Sequence, residues 1–242
     1  MPSWTWQGLR AGRQTTRYPK RPPEPAELGM SWPSLGAAEF SAELAASCPT
    51  AAISASSQGE LRIDYGRCIG CGICARHRPE EIAMLRRCDV ASTARAGLIA
   101  PELLGPAPGP LARFRGSLHL LHFDAGSDGG EESELQQLVS PAYDLHRLGI
   151  FFTPSPRHAD VLLVTGSPTA ALSPGLLEVY AAMPAPKWVV AYGTDAVSGG
   201  LWSERGVDAY LPVDLYVPGS PPSPLALLRS LLLWLGKEVV DT

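Results

Sequence analysis

ADVLLVTGSPTAALSPGLLEVYAAMPAPKWVVAYG, residues 159–193, holds the pattern from which the architecture can be read. It opens with a continuous apolar run that stops at Gly166, and KWVVAYG at its end repeats the form and stops at Gly193. Short apolar runs bounded by glycine read as strands buried on both faces. Between them, SPGLLEVYAAMP (173–184) predicts a helix, with Ser173 as the N-cap and Pro174 at the first helical position. Strand, helix and strand in that order make a βαβ unit with parallel strands.

The same grammar extends outward. SLHLLHF (117–123) alternates with period two, as a strand does. SPLALLRSLLLWLGK (223–237) is a helix apolar on nearly every side, suited to the core or to burial against another subunit. In an open α/β sheet the loops after the carboxyl ends of the strands carry the site. Here they begin at Asp124, Gly166, Gly193 and Pro218, and each is small and rich in glycine or proline. Such loops either let backbone approach a cofactor or a neighbouring chain, or are simply tight turns.

Upstream the composition changes. Residues 1–36 are rich in proline and basic side chains and are expected as an extended arm; 37–97 form a cysteine-bearing domain; 98–116, with Pro101, Pro106, Pro108 and Pro110, read as a semi-rigid linker; 117–242 form the α/β domain. A length of 242 residues, 45% of them hydrophobic, suffices for one full core or two modest ones, and two domains are expected. The formal charge of −4 argues against nucleic acid as a partner, which wants a basic footprint. Arg10, Arg13, Arg17, Lys20 and Arg21 form one basic stretch, a solvated arm or a contact for an acidic subunit or lipid head groups. No apolar segment reaches the roughly 18 residues of a membrane span, and no signal-peptide core is present, so a cytoplasmic protein is expected.

All five cysteines lie between Cys48 and Cys88. Cys68, Cys71 and Cys74, in RCIGCGIC, follow the C-x2-C-x2-C part of the bacterial ferredoxin run, but Arg78 stands where a fourth cysteine would precede Pro79. In two-cluster ferredoxins the cysteine before proline ligates the other cluster, which directs attention upstream to Cys48, followed by Pro49. Cys48, Cys68, Cys71 and Cys74 then complete the ligand set of one [4Fe–4S] cluster. The companion site would need thiolates where Ala38, Ser41, Leu44 and Arg78 stand, so it is expected to be replaced by packing. Tetrahedral zinc is the alternative for four cysteines. Cys88 reads as a small core residue and His77 as a surface one.

Ordered blocks along nearly the whole chain carry a resemblance. TTRYPKRPPEP, CPTAAI and DYGRCIGCGIC resemble the two-cluster ferredoxin subunit of formate hydrogenlyase and related energy-converting hydrogenases. LHLLHFDAGS, SPRHADVLLVTGSPT, MPAPKWVVAYG, PVDLYVPG and PPSPLALLRSLL resemble the small subunit of that group, the family of the NADH-quinone oxidoreductase B subunit. The chain is therefore similar to a fusion of two neighbouring subunits. The resemblance implies an α+β ferredoxin-like N-terminal domain and an α/β flavodoxin-like domain with a mainly parallel sheet. It also implies a hydrogenase- or complex I-like large subunit and membrane subunits as partners, and a peripheral place on the cytoplasmic side of the membrane.

The family's second part holds a proximal [4Fe–4S] cluster, and the positions aligned with its cysteines are Asp128, Glu131, Asp195 and Ser220. These hard oxygen ligands disfavour an iron–sulfur cluster and suit a cation or a protonatable group, or merely fill space. Arg157 and His158 are available either to neutralise carboxylates or to make a turn contact. The expected role is an iron–sulfur subunit whose second domain acts mainly in docking; a working electron-transfer module and a stand-alone redox or iron sensor are the alternatives. No catalytic residue is assigned.

Overall fold

The computed structural model describes residues 2–36, 39–100, 110–114, 116–203 and 205–240. Most of the expected linker and position 38 of the companion site lie outside them. The N-terminal half contains α1 (Ser3–Ala11), β1 (Ser31–Leu35), α2 (Ala42–Ala46), β2 (Ile53–Ala55), β3 (Leu61–Asp64), α3 (Ile73–His77), β4 (Ile82–Arg86) and β5 (Ile99–Ala100). Two antiparallel ribbons flank its short helices: β1 pairs with β4, and β3 lies between β2 and β5. The stretch expected as an arm is thus partly built into the fold. Its end is β1, with Trp32 buried, and residues 15 and 16 are tied to the C-terminal half by Thr15 Oγ1 donating to the Pro141 carbonyl at 2.8 Å and Thr16 N to that of Ala142 at 2.7 Å.

The C-terminal half contains β6 (Leu118–Asp124), α4 (Gly130–Val139), β7 (Ile150–Phe152), β8 (Val161–Thr165), α5 (Ser173–Ala182), β9 (Trp188–Tyr192), α6 (Thr194–Ser198), β10 (Leu215–Val217) and α7 (Pro224–Trp234). Its five strands form one all-parallel sheet in the order β10-β9-β8-β6-β7. Counted from β6 as the first strand, this is the 2-1-3-4-5 order of doubly wound flavodoxin-like sheets, whose topological switch point lies between β6 and β8. The parallel α/β expectation is met. α5 begins at Ser173 itself, one residue earlier than expected: Ser173 N donates to the Thr169 carbonyl and Leu172 N to Thr169 Oγ1, so Leu172 takes the cap position.

Period-two alternation along the strands sends side chains to two apolar clusters. Leu118, Leu120, Val161, Leu163 and Val190 meet Leu135 and Leu138 of α4 and the leucines of α7 on one face. Leu121, Leu162, Val164, Val189 and Ala191 meet Leu176 of α5, Val197 of α6 and, from the N-terminal half, Trp32, Ile63, Tyr65 and Ile82. The cysteine-bearing segment therefore packs on the second face of the sheet. α7 is buried within this chain rather than left for another subunit, and Ser223 caps it by accepting from Ala226 N. Full burial of each such leucine is worth about 1.5–3 kcal/mol. Paired backbone bonds between Ser92 and Tyr216 close off the exposed edge of β10.

Candidate functional site

Two groups of ionisable side chains stand out. Cys48, Cys68, Cys71 and Cys74 together line one largely apolar cleft in the N-terminal half, walled by Pro33, Ile53, Ile63, Ile69, Ile73 and Met84. The loop carrying three of the cysteines is shaped by Asp64, which accepts from Gly66 N at 2.8 Å and holds the Arg95 guanidinium through two bonds of 2.8 and 2.7 Å. The Asp64 carbonyl then accepts from Cys68 N at 3.1 Å. Gly70 follows in a left-handed conformation, φ 66°, and a Cβ there would fall 2.9 Å from the Ser31 carbonyl oxygen, which favours glycine.

Backbone amides point at the sulfurs. Ala52 N donates to Cys48 Sγ at 3.3 Å and Gly70 N to Cys68 Sγ at 3.4 Å. Burial pushes the Cys68 thiol up to about 12, against the Gly70 amide, and the neighbouring sulfurs of Cys74, Cys48 and Cys71 raise it further. Burial likewise raises Cys74. Four thiolates in such a cleft need a positive centre, which reverses this pKa logic by holding the sulfurs deprotonated. Among the described residues no three or more His, Cys, Asp or Glu side chains are placed to hold a single metal ion. Four soft donors lining one apolar cleft, with amides directed at two of the sulfurs, fit an iron–sulfur cluster in donor chemistry.

The companion positions are occupied by structure. Ser41 caps α2 by accepting from Leu44 N, Leu44 is buried, and Arg78 pairs with Glu81 at 2.9 Å while donating to the Glu39 carbonyl at 3.0 Å. Cys88 is buried and His77 is exposed.

The second group, a carboxylate cluster, lies in the loops and first helical turns at the carboxyl ends of the parallel strands. Asp128, in the loop after β6, Glu131, in the first turn of α4, and Asp195, in α6, act on one another electrostatically. Glu131 and Asp195 are buried and Asp128 is exposed. Burial raises Glu131 to about 7, and Asp195 and Asp128 add to the rise; burial and then Asp128 raise Asp195 to about 6. The backbone is cut close around these groups: a Cβ on Gly193 would lie 2.5 Å from Glu131 Oε1, and one on Gly166 would lie 2.3 Å from Ser127 N. Ser220 is exposed; its loop reaches the pocket through Pro221, which faces Gly130, and its amide faces Met30 Sδ at 3.4 Å. Arg157 and His158 do not neutralise this pocket. They are exposed in a turn before β8, at the opposite end of the sheet, because a parallel strand separates the residues before it from those after it by its whole length.

Sequence reasoning missed the group beside it. Glu132 accepts from Ser127 Oγ at 2.7 Å and from Thr165 Oγ1, and His122 Nε2 lies 2.9 Å from the same Thr165 hydroxyl. Burial holds the His122 imidazole below its ordinary value, against the pull of Glu132 and Asp124. The Glu131–Glu132 doublet after a glycine pair was the available signal. Thr194 was also unseen: its hydroxyl donates to the Cys68 carbonyl at 3.2 Å and accepts from Gly219 N at 3.1 Å, joining the cysteine loop to the carboxylate pocket.

This architecture, a parallel sheet with polar loops at its carboxyl ends and a cysteine-lined segment on one face, can be set beside known proteins. Residues 129–233 match the family model described as NADH ubiquinone oxidoreductase, 20 Kd subunit. Formate hydrogenlyase subunit 7 of Escherichia coli (strain K12) is 38% identical over 131 residues, covering 52% of this chain and 51% of that protein. The NADH-quinone oxidoreductase B subunit of Citrifermentans bemidjiense is 46% identical over 103 residues, covering 41% of this chain and 61% of that one. A chain in the structure of the membrane-bound sulfane sulfur reductase, an archaeal respiratory membrane complex, aligns with a TM-score of 0.44 and 31% identity over 52% of this chain and 76% of its own length. The family match and the curated relatives support a B-subunit-like family for the C-terminal part. The chain spans about half to three-fifths of the length of these curated relatives. Among the described residues no helix is long and apolar enough to cross a membrane.

Proposed function

We propose that this chain is an iron–sulfur subunit of a membrane-associated hydrogenase- or complex I-related assembly, peripheral on its cytoplasmic side, with Cys48, Cys68, Cys71 and Cys74 holding one [4Fe–4S] cluster. The observation that carries the reading is that four cysteines spread over 27 positions line a single cleft. The paired ribbons and short helices around them support a ferredoxin-like N-terminal domain, with 37–97 as its span and 117–242 as the B-subunit-like domain. The match over 129–233 and the relatives' names support large and membrane subunits as partners, with the second domain acting mainly in docking.

The cluster supplies one-electron storage. The protein's part is to hold and tune it: Ile53, Ile63 and Ile73 exclude water, and the amides of Ala52 and Gly70 offset negative charge on the sulfurs of Cys48 and Cys68. Cys71 is exposed, which gives the pocket an edge where a partner protein can exchange electrons.

The test is iron, sulfide and zinc content of the anaerobically purified full chain, with electron paramagnetic resonance after reduction. The expected result is about four irons and about four sulfides per chain, lost on Cys48→Ser. Zinc without sulfide, or iron content unchanged by Cys48→Ser in a folded protein, overturns the assignment.

A further inference from the structure

Two adjacent glutamates in the first turn of α4 receive opposite treatment. Glu132 is supplied with hydroxyl donors from Ser127 and Thr165. Glu131 is only 3% exposed, and its Oε2 is buried with no hydrogen-bond partner among the described residues. Its other oxygen lies against Gly193, at the start of α6 and two residues before Asp195. An ionised carboxylate with one oxygen left undonated in such a place is unfavourable, whereas a protonated one carries no charge to solvate.

Among the described residues, the groups acting on it include no cation. Those acting on Glu131 are Asp195 from α6, Asp128 from the loop after β6 and Glu132 from α4; its own backbone N–H is the one opposing influence. Asp195 faces Asp128, with the Trp202 side chain as a hydrogen-bonding donor. Tyr192, on β9, stays a neutral phenol whose hydroxyl donates to the Pro222 carbonyl at 2.8 Å. Arg67 lines the open cleft beside the Gly200–Ser203 turn and gives its guanidinium to the Thr50 carbonyl at 3.5 Å. Depth grades across the three: Asp128 is exposed, while Asp195 and Glu131 are buried at 6% and 3% exposure.

We propose that Glu131, Asp195 and Asp128 form a proton-binding site, in which one carboxyl proton rests on Glu131 and exchanges with water by way of Asp195 and the exposed Asp128. Release leaves Glu131 as a carboxylate and delivers the proton to water, with no other bond made or broken. Burial is the main cause that lifts Glu131 to about 7 and Asp195 to about 6, so the site changes charge near neutral pH.

The experiment is a pH titration of the carboxyl C=O stretch by infrared spectroscopy on the purified full chain, labelled with 13C-glutamate, from about pH 5 to about pH 9. A protonated-glutamate band that survives above the ordinary carboxyl range and vanishes with a midpoint of about 7 is expected. It is absent in Glu131→Gln, and its midpoint moves to lower pH in Asp195→Asn and, by less, in Asp128→Asn, which remove negative charge beside it. Circular dichroism of each variant shows whether it is folded; should Glu131→Gln fail to fold, the two aspartate shifts decide. A band that titrates only in the ordinary range, or persists in folded Glu131→Gln, overturns the proposal. So does magnesium or calcium abolishing the band at a pH where the protein alone retains it, which marks a cation site. Iron content measured on the same sample shows whether the cluster assignment fails separately.

Discussion

The cysteine pocket and the carboxylate pocket are joined by one threonine, and they handle buried ionisable groups in opposite ways. Burial raises the pKa of Cys68 and of Glu131 alike. Around the sulfurs the backbone supplies amides, from Ala52 to Cys48 and from Gly70 to Cys68, as suits thiolates kept charged by a bound positive centre. Around Glu131 Oε2 the described residues supply no donor, as suits a group that sheds its charge by taking a proton. Desolvation of both groups therefore serves different chemistry, and the direction of the surrounding donors distinguishes the two. Glu132, one residue on, shows that the fold can provide donors there: it has two hydroxyls.

Removing a sulfur puts the contrast between the pockets under the greatest strain. Cys68→Ser is expected to abolish iron and sulfide binding while leaving the Glu131 infrared titration in place; loss of both signals in a folded protein would show one site rather than two. Next in size is pH. Glu131 binds its proton more tightly when folded, about 7 against an ordinary 4.5, so its contribution is fully present below the unfolded value and is lost as pH rises through the folded one. Stability to urea should fall by up to roughly 3 kcal/mol over that window, and Glu131→Gln should flatten this part of the profile. Equal slopes in the two proteins would show that Glu131 is not the group responsible.

Thr194→Val keeps the shape but removes the hydroxyl that joins the pockets, leaving the Gly219 amide and the Cys68 carbonyl without it. A loss of about 1–3 kcal/mol in chemical denaturation is expected, the usual cost of an unsatisfied buried donor. Smallest is Ser220→Ala. Because Ser220 is exposed, its change should stay within about 0.5 kcal/mol in thermal denaturation and leave both pockets' signals unaltered. A larger effect would restore Ser220 to equal standing with Asp128, Glu131 and Asp195.

Much of this was legible in the chain. Continuous apolar runs ending at Gly166 and Gly193 marked β8 and β9, and the leucine-dense end marked a buried helix, because burial on both faces leaves no room for polar alternation. Spacing alone singled out Cys48 with Cys68, Cys71 and Cys74, and the structure lines one cleft with all of them. Other features had no local signal. Trp32 and Tyr18 are buried although they lie in a proline-rich stretch without periodicity, since what covers them comes from far along the chain. The opposite treatment of Glu131 and Glu132 depends on which side chains stand opposite the first turn of α4, and residue type cannot reveal that.

The strands, the buried helix and the cysteine set follow from the order of residues alone, because periodicity and short-range spacing are properties of neighbours in the chain. Folding in three dimensions added that Thr194 meets the Cys68 carbonyl, that Glu131 Oε2 is buried with no donor among the described residues, and that Arg157 and His158 stand at the other end of the sheet. Those facts depend on strand order and direction, which bring distant residues together or hold them apart, and on desolvation, which exists only once the surrounding core has closed.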